Sequence, residues 1–204
     1  MINNQGNGAI SVLKKIWEKD LNLSWEAEEW ENIFKNIKLM SRDAKMCLMQ
    51  FKIMHRFYWT PSRLYRLGLS QTPNFWRCKS EQGNLIHVLW SCDKVQEFWE
   101  RLCENICQVS GTQIPLSPRV FVLGDGSILP RGDNYIKNWV QTSLMIGRQI
   151  LLRNWKTEGV PPFREWTAEM ARVAAFEKIS YKRSGRMNVY AKKWGKYLTS
   201  LEDY

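Results

Sequence analysis

The sequence predicts a mostly α-helical domain with a small zinc-knuckle-like hairpin inserted between two helical lobes. Apolar residues recur at three- and four-residue spacing through most of the 204-residue chain. Pro and Gly concentrate in one stretch, where a short strand is expected. With 44% apolar residues and 11 Trp, the chain can bury a core that takes in most of its large rings.

The N-terminal lobe, residues 1–74, is predicted to be a series of helices. Ser24 precedes an acid-rich stretch and favours an N-cap. Thr60 followed by Pro61 marks a cap and a restart, and Gly68 marks a stop. We therefore expect helices at 9–21, 24–40 and 41–59, and a fourth from Pro61 towards Gly68.

The helix predicted over 41–59 is amphipathic, so we expect one face to pack and the other to meet solvent or phosphate. His55 lies in this helix, and we interpret it as an interface or phosphate contact. On a 3.6-residue wheel the apolar side holds Cys47, Phe51, Met54 and Tyr58, and the opposite side a cationic stripe of Lys45, Lys52 and Arg56, continued by Arg63 and Arg66.

The remaining segments are divided by breaks in the helical pattern. Residues 75–107 are predicted to form a knuckle-like hairpin and then a helix that buries Val95, Phe98, Leu102 and Ile106. Residues 108–133 form an irregular connection with a short strand at 120–123. The C-terminal basic lobe, 134–204, is expected to have helices at 134–156, 163–181 and 186–200.

A candidate metal site lies in the stretch FWRCKSEQGNLIHVLWSC, which begins at Phe75. Cys78, His87 and Cys92 are separated by eight and then four residues, and His-x4-Cys matches the short spacing of zinc knuckles. Gly83 would supply the turn that folds Cys78 back towards His87. A closed structural zinc site needs four ligands, and Phe75 occupies the position where a Cys-x2-Cys turn would supply the fourth.

Two interpretations of this stretch stay open. In one, the three residues hold zinc loosely and substoichiometrically, since water must fill the fourth position. Cys103 or Cys107 would complete that site if the next helix leaned in. In the other, the three residues are half-buried parts of a hairpin and helix start, and the rings that hold them are Trp76, Trp90 and Trp99. An odd number of Cys, five, favours thiols or metal ligands over disulfides.

Six segments, taken in order, resemble a known family. They are KIMHRFYWTPSRLYRLGL, NFWRCKSEQGNLIHVLWSC, VQEFW, ILLRNWK, PPFREW and YAKKWGKYL. They are similar to the C-terminal region of the second-reading-frame polyprotein of vertebrate, particularly fish, LINE-type non-LTR retrotransposons, which carries a reverse-transcriptase zinc-binding domain. The family pattern reads Cys-Trp-Arg-Cys, Gly, His and Trp-x-Cys. The resemblance implies that Cys78, His87 and Cys92 correspond to ligands and that Phe75 replaces the first Cys.

The positive charge is concentrated in the C-terminal part of the chain. The net charge is +10, and residues 111–204 hold 15 Lys and Arg against eight Asp and Glu. Such a field favours nucleic acid or an anionic membrane surface, and of these we expect nucleic acid and no membrane. The stretch KISYKRSGRMNVYAKKWGK has no acid, and a polyanion would relieve the repulsion between its seven cations. They are Lys178, Lys182, Arg183, Arg186, Lys192, Lys193 and Lys196.

The last predicted helix places its aromatic residues on one face. Its cations, Lys192, Lys193 and Lys196, are expected to point away from that face. For the aromatic residues we favour packing over a Trp-rich core. Tyr181 or Tyr190 would stack on bases if its ring were exposed.

The sequence lacks the pattern of an enzyme. The polymerase of the resembling family depends on an Asp-Asp pair, and this chain has none. Two-metal chemistry needs clustered carboxylates. The 124–126 triplet lacks the Gly-Lys-Ser/Thr of a phosphate loop, and we interpret the Arg-Gly-Asp triplet at 131–133 as loop chemistry. We therefore expect no catalysis and no small-molecule substrate.

Together these features predict a non-catalytic remnant of a LINE-type polyprotein C-terminal domain that binds RNA or single-stranded DNA through phosphates. Without a signal peptide or an apolar span, the protein is expected to be soluble and intracellular, in the nucleus, the cytoplasm or both. The alternative is a helical protein-interaction or structural module whose basic C-terminus is only an import signal.

Overall fold

A computed structural model describes residues 4–41 and 43–202, and within them the chain is mostly helical, as predicted. The one β-type pairing in this part is an antiparallel bridge between Asn74 and Gln82. The helices are α1 (Asn4–Leu21), α2 (Ala27–Met40), α3 (Ala44–Met54), α4 (Pro61–Arg66), α5 (Asp93–Ser110), α6 (Pro118–Phe121), α7 (Asn134–Arg153), α8 (Phe163–Arg183) and α9 (Met187–Glu202), with a π-helical turn (His87–Ser91) before α5.

None of the helices in the described ranges is long and apolar enough to cross a membrane.

Capping chemistry sets where α2 and α4 begin. The sequence suggested Ser24 as the N-cap of α2, but Ser24 does not have this role. Glu26 takes that place because its side chain and that of Glu29 form a reciprocal capping box. Thr60 is the N-cap of α4 and Pro61 is its first residue, which confirms that expectation.

Helix α3 is shorter than predicted, and its buried side overlaps the predicted apolar side only in part. The Asp43 side chain caps it at its start, and it ends at Met54 instead of continuing to residue 59. Phe51 is 42% exposed, whereas Gln50 is fully buried and its side-chain amide donates to the carbonyls of Val122 and Leu123. Of the other residues predicted on the apolar side, Met54 is fully buried, and Cys47 and Tyr58 pack against the core. The prediction is therefore wrong for Phe51, and it missed Gln50, a buried polar residue that a hydropathy wheel cannot show.

The strand expected at 120–123 is wrong, since the short helix α6 lies there. The Ser117 hydroxyl accepts a hydrogen bond from the backbone N–H of Arg119, and Pro118 occupies the first helical position. Val120 and Leu123 are nevertheless fully buried. The apolar run was therefore correctly assigned to the interior but to the wrong backbone conformation.

In the described part of the chain, two hydrophobic clusters form the core. The larger joins α5, α7, α8 and α9 and includes Phe75, Trp99 and Trp194; the smaller joins α1, α2 and α3 with the turn before α5. Both clusters take in residues from more than one of the four predicted segments. The burial predicted for Val95 and its partners on α5 is confirmed.

Helix α5 lies very close to α7, at Gly147. A Cβ at this glycine would fall 2.5 Å from Cζ3 of Trp99 and 2.6 Å from Cδ2 of Leu102. Such distances are shorter than van der Waals contact, so the two helices can approach this closely only at a glycine. This contact fixes α5, whose N-terminal end carries the candidate metal site.

Candidate metal centre and cationic surface

The structure brings Cys78, His87 and Cys92 together at the end of the hairpin. Their ligand atoms all lie within 4.8 Å of one another, and Cys78 Sγ is 3.3 Å from His87 Nε2. In tetrahedral zinc sites, with Zn–S near 2.3 Å and Zn–N near 2.0 Å, ligand atoms are about 3.5–3.8 Å apart. The group could therefore hold a metal ion after shifts of about an ångström.

The sequence suggested that Gly83 supplies the turn that forms the site. In the structure, the residue of this turn with left-handed backbone is Lys79. Lys79 has a positive φ of 61°, and its backbone N–H donates to the Phe75 carbonyl at 2.8 Å. Gly83 instead permits close packing, since a Cβ there would fall 2.7 Å from Cγ of Pro61.

The two cysteines have opposite acid–base properties. Burial pushes the pKa of Cys78 upward, but hydrogen bonds from His87 and from the backbone N–H groups of Glu81 and Ser80 outweigh burial and lower the pKa to about 6. Burial raises the pKa of Cys92, and the neighbouring Cys78 adds to that effect. At neutral pH Cys78 is a thiolate ready for a cation, whereas Cys92 would release its proton on metal binding.

His87 is oriented with Nε2 towards the sulfur atoms. Its Nδ1 lies 3.2 Å from a carboxylate oxygen of Glu81 and 3.4 Å from the hydroxyl of Ser91. A carboxylate at Nδ1 and a sulfur at Nε2 is the orientation of a metal-ligating His, and a bound ion would displace the Nε2 proton that hydrogen-bonds to Cys78 in the metal-free protein. The surroundings of His87 thus fit a ligand role.

The fourth side of the site is apolar. Phe75 is 1% exposed, and its ring is perpendicular to the His87 ring at a centroid distance of 5.5 Å. Within the described residues, the metal-competent group has three members. Cys103 and Cys107 are not among them: at about 1.5 Å rise per residue, Cys103 is roughly 16 Å along α5 from Cys92, and both line a different cleft. The substitute-ligand alternative is therefore wrong.

The three Trp residues expected to hold this stretch have different neighbours. Trp99 is fully buried, and its indole N–H donates to the Leu89 carbonyl at 2.8 Å, which anchors the turn that carries His87. Trp76 packs against Trp155, and Trp90 is half-buried. The contacts of Trp99 and Trp76 thus stabilise the hairpin and the turn after it independently of a metal ion.

The cationic stripe predicted on α3 is not continuous. Lys45 and Lys52 are exposed. Arg56 lies beyond the helix end, where it pairs with Asp20 at 2.5 Å and covers the Trp17 ring at 4.6 Å. Its charge is already compensated inside the protein, so the prediction of Arg56 as part of an open stripe is wrong.

The residues that follow α3 mix exposed charge with aromatic rings. The Arg63 guanidinium lies 4.5 Å from the centre of the Trp59 ring, and Arg66 is exposed. His55 is half-buried and stacks on Phe57, and burial lowers its pKa. A neutral imidazole among rings does not fit the phosphate contact expected of His55.

Lys193 is the clearest error of the sequence interpretation. It is 4% exposed, and its ammonium donates to both carboxylate oxygens of Glu177, at 2.8 and 2.9 Å. The helical wheel placed Lys193 among the outward-facing cations because a wheel shows only one helix. The partner of Lys193, Glu177, is on α8, sixteen residues earlier. Lys193 therefore does not meet solvent or phosphate.

The other C-terminal cations lie in two places. Lys178, Lys182, Arg183 and Arg186 are exposed at the end of α8 and in the turn to α9, and we call them the α8 cationic surface. None has a carboxylate within 4.0 Å in the part of the chain that the structure describes.

Lys192 and Lys196 face another side of the fold. The Lys192 ammonium lies 5.2 Å from the centre of the Tyr135 ring, and that of Lys196 donates to the Ser110 carbonyl at 2.7 Å.

The rings available for stacking are not those considered from the sequence. Tyr181 and Tyr190 are 7% and 5% exposed and belong to the core. Phe176 and Ile179 on α8 are each 57% exposed, next to the α8 cationic surface. The exposed side of α8 also carries Ala168, Ala171 and Ala175, so no purely polar stripe in the sequence marked these two side chains as exposed.

The structure also brings the start of α3 next to α8. Ser41 and Asp43 line one small cleft together with Arg172 and Phe176. The N-terminal end of the α3 stripe, at Lys45, therefore begins beside the α8 helix. Sequence alone could not place these two cationic regions relative to each other.

No protein-family model matches this sequence.

Proposed function

We propose that this chain is a non-catalytic nucleic-acid-binding module, a remnant of a LINE-type retrotransposon polyprotein C-terminal domain, and that it binds RNA or single-stranded DNA through phosphates. The observation that carries this proposal is the α8 cationic surface. Its four cations are exposed and have no carboxylate partner in the described part of the chain.

Counterion release supplies the driving force. Each Lys or Arg that replaces a counterion on a single strand contributes roughly 0.7 to the log–log dependence of affinity on salt. Clustered cations repel one another in the free protein, and a phosphate backbone relieves this repulsion. The four side chains of the α8 cationic surface therefore favour a polyanion that follows the end of the helix.

Exposed apolar side chains beside the cations favour single strands over duplexes. Phe176 presents an exposed ring next to Lys178, and Ile179 lies on the same helix. Stacking of an unpaired base on an aromatic side chain contributes roughly 1–3 kcal/mol and is tolerant of sequence. Binding should therefore depend little on base identity.

A zinc ion would have a structural role in this proposal. Cys78, Cys92 and Nε2 of His87 would hold it, and it would tie the hairpin to the start of α5. The three donors fit such an ion, and zinc at such sites contributes directly to folding free energy.

The test replaces the four residues of the α8 cationic surface by Gln and measures affinity for a fluorescent single-stranded RNA over a range of salt concentrations. If all four contact phosphates, the log–log salt slope should become shallower by roughly three units. The matched control removes four exposed charges elsewhere, at Lys15, Lys19, Lys35 and Lys94, and should leave the slope close to that of the unmodified chain. An α8 variant with unchanged affinity and slope would contradict the proposal.

A protein-interaction module is the second candidate, and one observation favours it. Between α3 and the hairpin, five large apolar side chains are each about half exposed or more: Phe57, Trp59, Tyr65, Leu67 and Leu69. Exposed apolar side chains close together mark interaction surfaces. Unchanged RNA binding in the α8 variant would favour this candidate.

A further inference from the structure

A cleft of about 230 Å³ lies between the C-terminal end of α5, the loop before α7, and α9. From the sequence we expect Lys196 to contact phosphate, and we interpret the triplet that contains Arg131 and Asp133 as loop chemistry. The volume is below the roughly 300–1,000 Å³ of pockets that enclose most of a drug-sized ligand, so a ligand here would stay partly exposed to solvent. The cleft therefore has room for one ring system and its attached group.

Three cations from three different elements line this cleft. Arg131 belongs to the loop, Lys137 to the start of α7, and Lys196 to α9. The Ser110 carbonyl fixes the Lys196 ammonium at 2.7 Å. This convergence brings together positive charge from residues 65 positions apart.

The charge of the cleft is not neutralised locally. Among the residues that the structure describes, Asp133 is the one acid that lines it. Its carboxylate is engaged as the N-cap of α7, where it accepts a hydrogen bond from the backbone N–H of Tyr135 at 2.7 Å. Three cations thus face one carboxylate, which also offsets the partial positive charge at the N-terminus of α7, so the lining keeps a net positive charge.

The remainder of the lining is apolar. Ile114, Leu129, Ile136 and Val140 form that part of the wall, and Gly111 and Gly132 leave room at its edge. An inorganic anion would contact the cations and leave this wall without a partner. A ligand that has both an apolar ring and an anionic group matches the whole lining.

We propose that this cleft binds a single nucleotide, with the base against the apolar wall and the phosphate against Arg131, Lys137 and Lys196. The inference rests on the proposed function, because it makes the cleft a subsite for one nucleotide of a bound strand. It adds a location, a ligand class and two residues, Arg131 and Lys137, to that function.

The test uses the full chain and AMP as the probe, with adenosine and inorganic phosphate as partial ligands. Amide chemical shifts of Gly111, Gly132 and Lys137 should change saturably with AMP. Because a charge-assisted phosphate contact and burial of the ring act together, each partial ligand should bind at least about tenfold more weakly. Equal binding of phosphate and AMP would overturn the nucleotide assignment.

Matched variants separate the cleft from the α8 cationic surface. Arg131→Ala with Lys137→Ala should weaken AMP binding about tenfold or more, whereas Lys15→Ala with Lys94→Ala, two exposed cations outside both surfaces, should leave it unchanged. If RNA binds with the predicted salt dependence but AMP shifts no cleft amide, the cleft inference fails and the proposed function stands. If AMP binds in the cleft but RNA does not bind, the proposed function fails and the nucleotide cleft stands.

Discussion

Removing the Lys193 side chain should destabilise the fold far more than removing an exposed lysine. The side chains of Lys193 and Glu177 are 5% and 4% exposed, so their ion pair belongs to the buried class. In Lys193→Ala, the Glu177 carboxylate keeps the indole N–H of Trp194 at 2.8 Å but loses its counter-charge. Breaking a buried pair from one side costs about 3–5 kcal/mol, a large part of a typical 5–15 kcal/mol stability.

Urea denaturation at pH 7, followed by circular dichroism and Trp fluorescence, measures this loss. The matched control is Lys35→Ala, which breaks an exposed pair with Glu31 and should cost less than about 0.5 kcal/mol. Combining Lys193→Met with Glu177→Gln should recover most of the loss, because no charge then stays buried and Gln can still accept from Trp194. A loss below about 1 kcal/mol for Lys193→Ala would refute the buried pair and return Lys193 to the solvent-exposed cations.

Three further predictions concern the metal site and helix packing. Phe75→Cys should cost the zinc-free protein about 3 kcal/mol, because Phe75 fills the core; melting curves should show zinc restoring stability and binding more tightly than in the unmodified chain. Gly147→Ala should destabilise by about 1–3 kcal/mol through overpacking, whereas Gly195→Ala, with open space around it, should stabilise α9 by up to about 1 kcal/mol. With its pKa near 6, Cys78 should be alkylated by iodoacetamide at increasing rate as the pH rises through 6 in zinc-free buffer, ahead of Cys92.

The Cys78 prediction has a consequence for stability. Folding lowers the pKa of this thiol from its ordinary value of 9.0 to about 6. Its stabilising contribution is therefore complete above the unfolded pKa and is lost as the pH falls from 9 through 6. Cys78→Ser should flatten this part of the stability profile, and an unchanged profile would contradict the lowered pKa.

Hydrophobic periodicity predicted the helices that bury one face. Helices α5, α7, α8 and α9 lie close to where the sequence placed them, because their apolar residues repeat at helical spacing around a common core. Hydrophobic periodicity did not predict the buried positions that are occupied by polar residues. Gln50 and Lys193 are both buried, and each is satisfied by partners remote in sequence that no wheel can show.

Spacing found the metal-competent group but not what surrounds it. Cys78, His87 and Cys92 converge as their order suggested. The role of Glu81 on Nδ1 of His87 and the left-handed turn at Lys79 depend on local geometry that residue types alone do not determine. The cleft between α5, α7 and α9 could not be predicted at all, because its cations come from three elements that meet only in the fold.

The salt dependence of RNA binding tests phosphate-driven recognition most directly. The measurement is the dissociation constant of the unmodified chain for a single-stranded RNA of mixed sequence between about 50 and 200 mM salt. Four phosphate contacts predict a log–log slope of about −3, and further contacts a steeper one. Oligomers of different base composition should give similar slopes. A slope near zero, or no binding at the lowest salt concentration, would contradict recognition through phosphates.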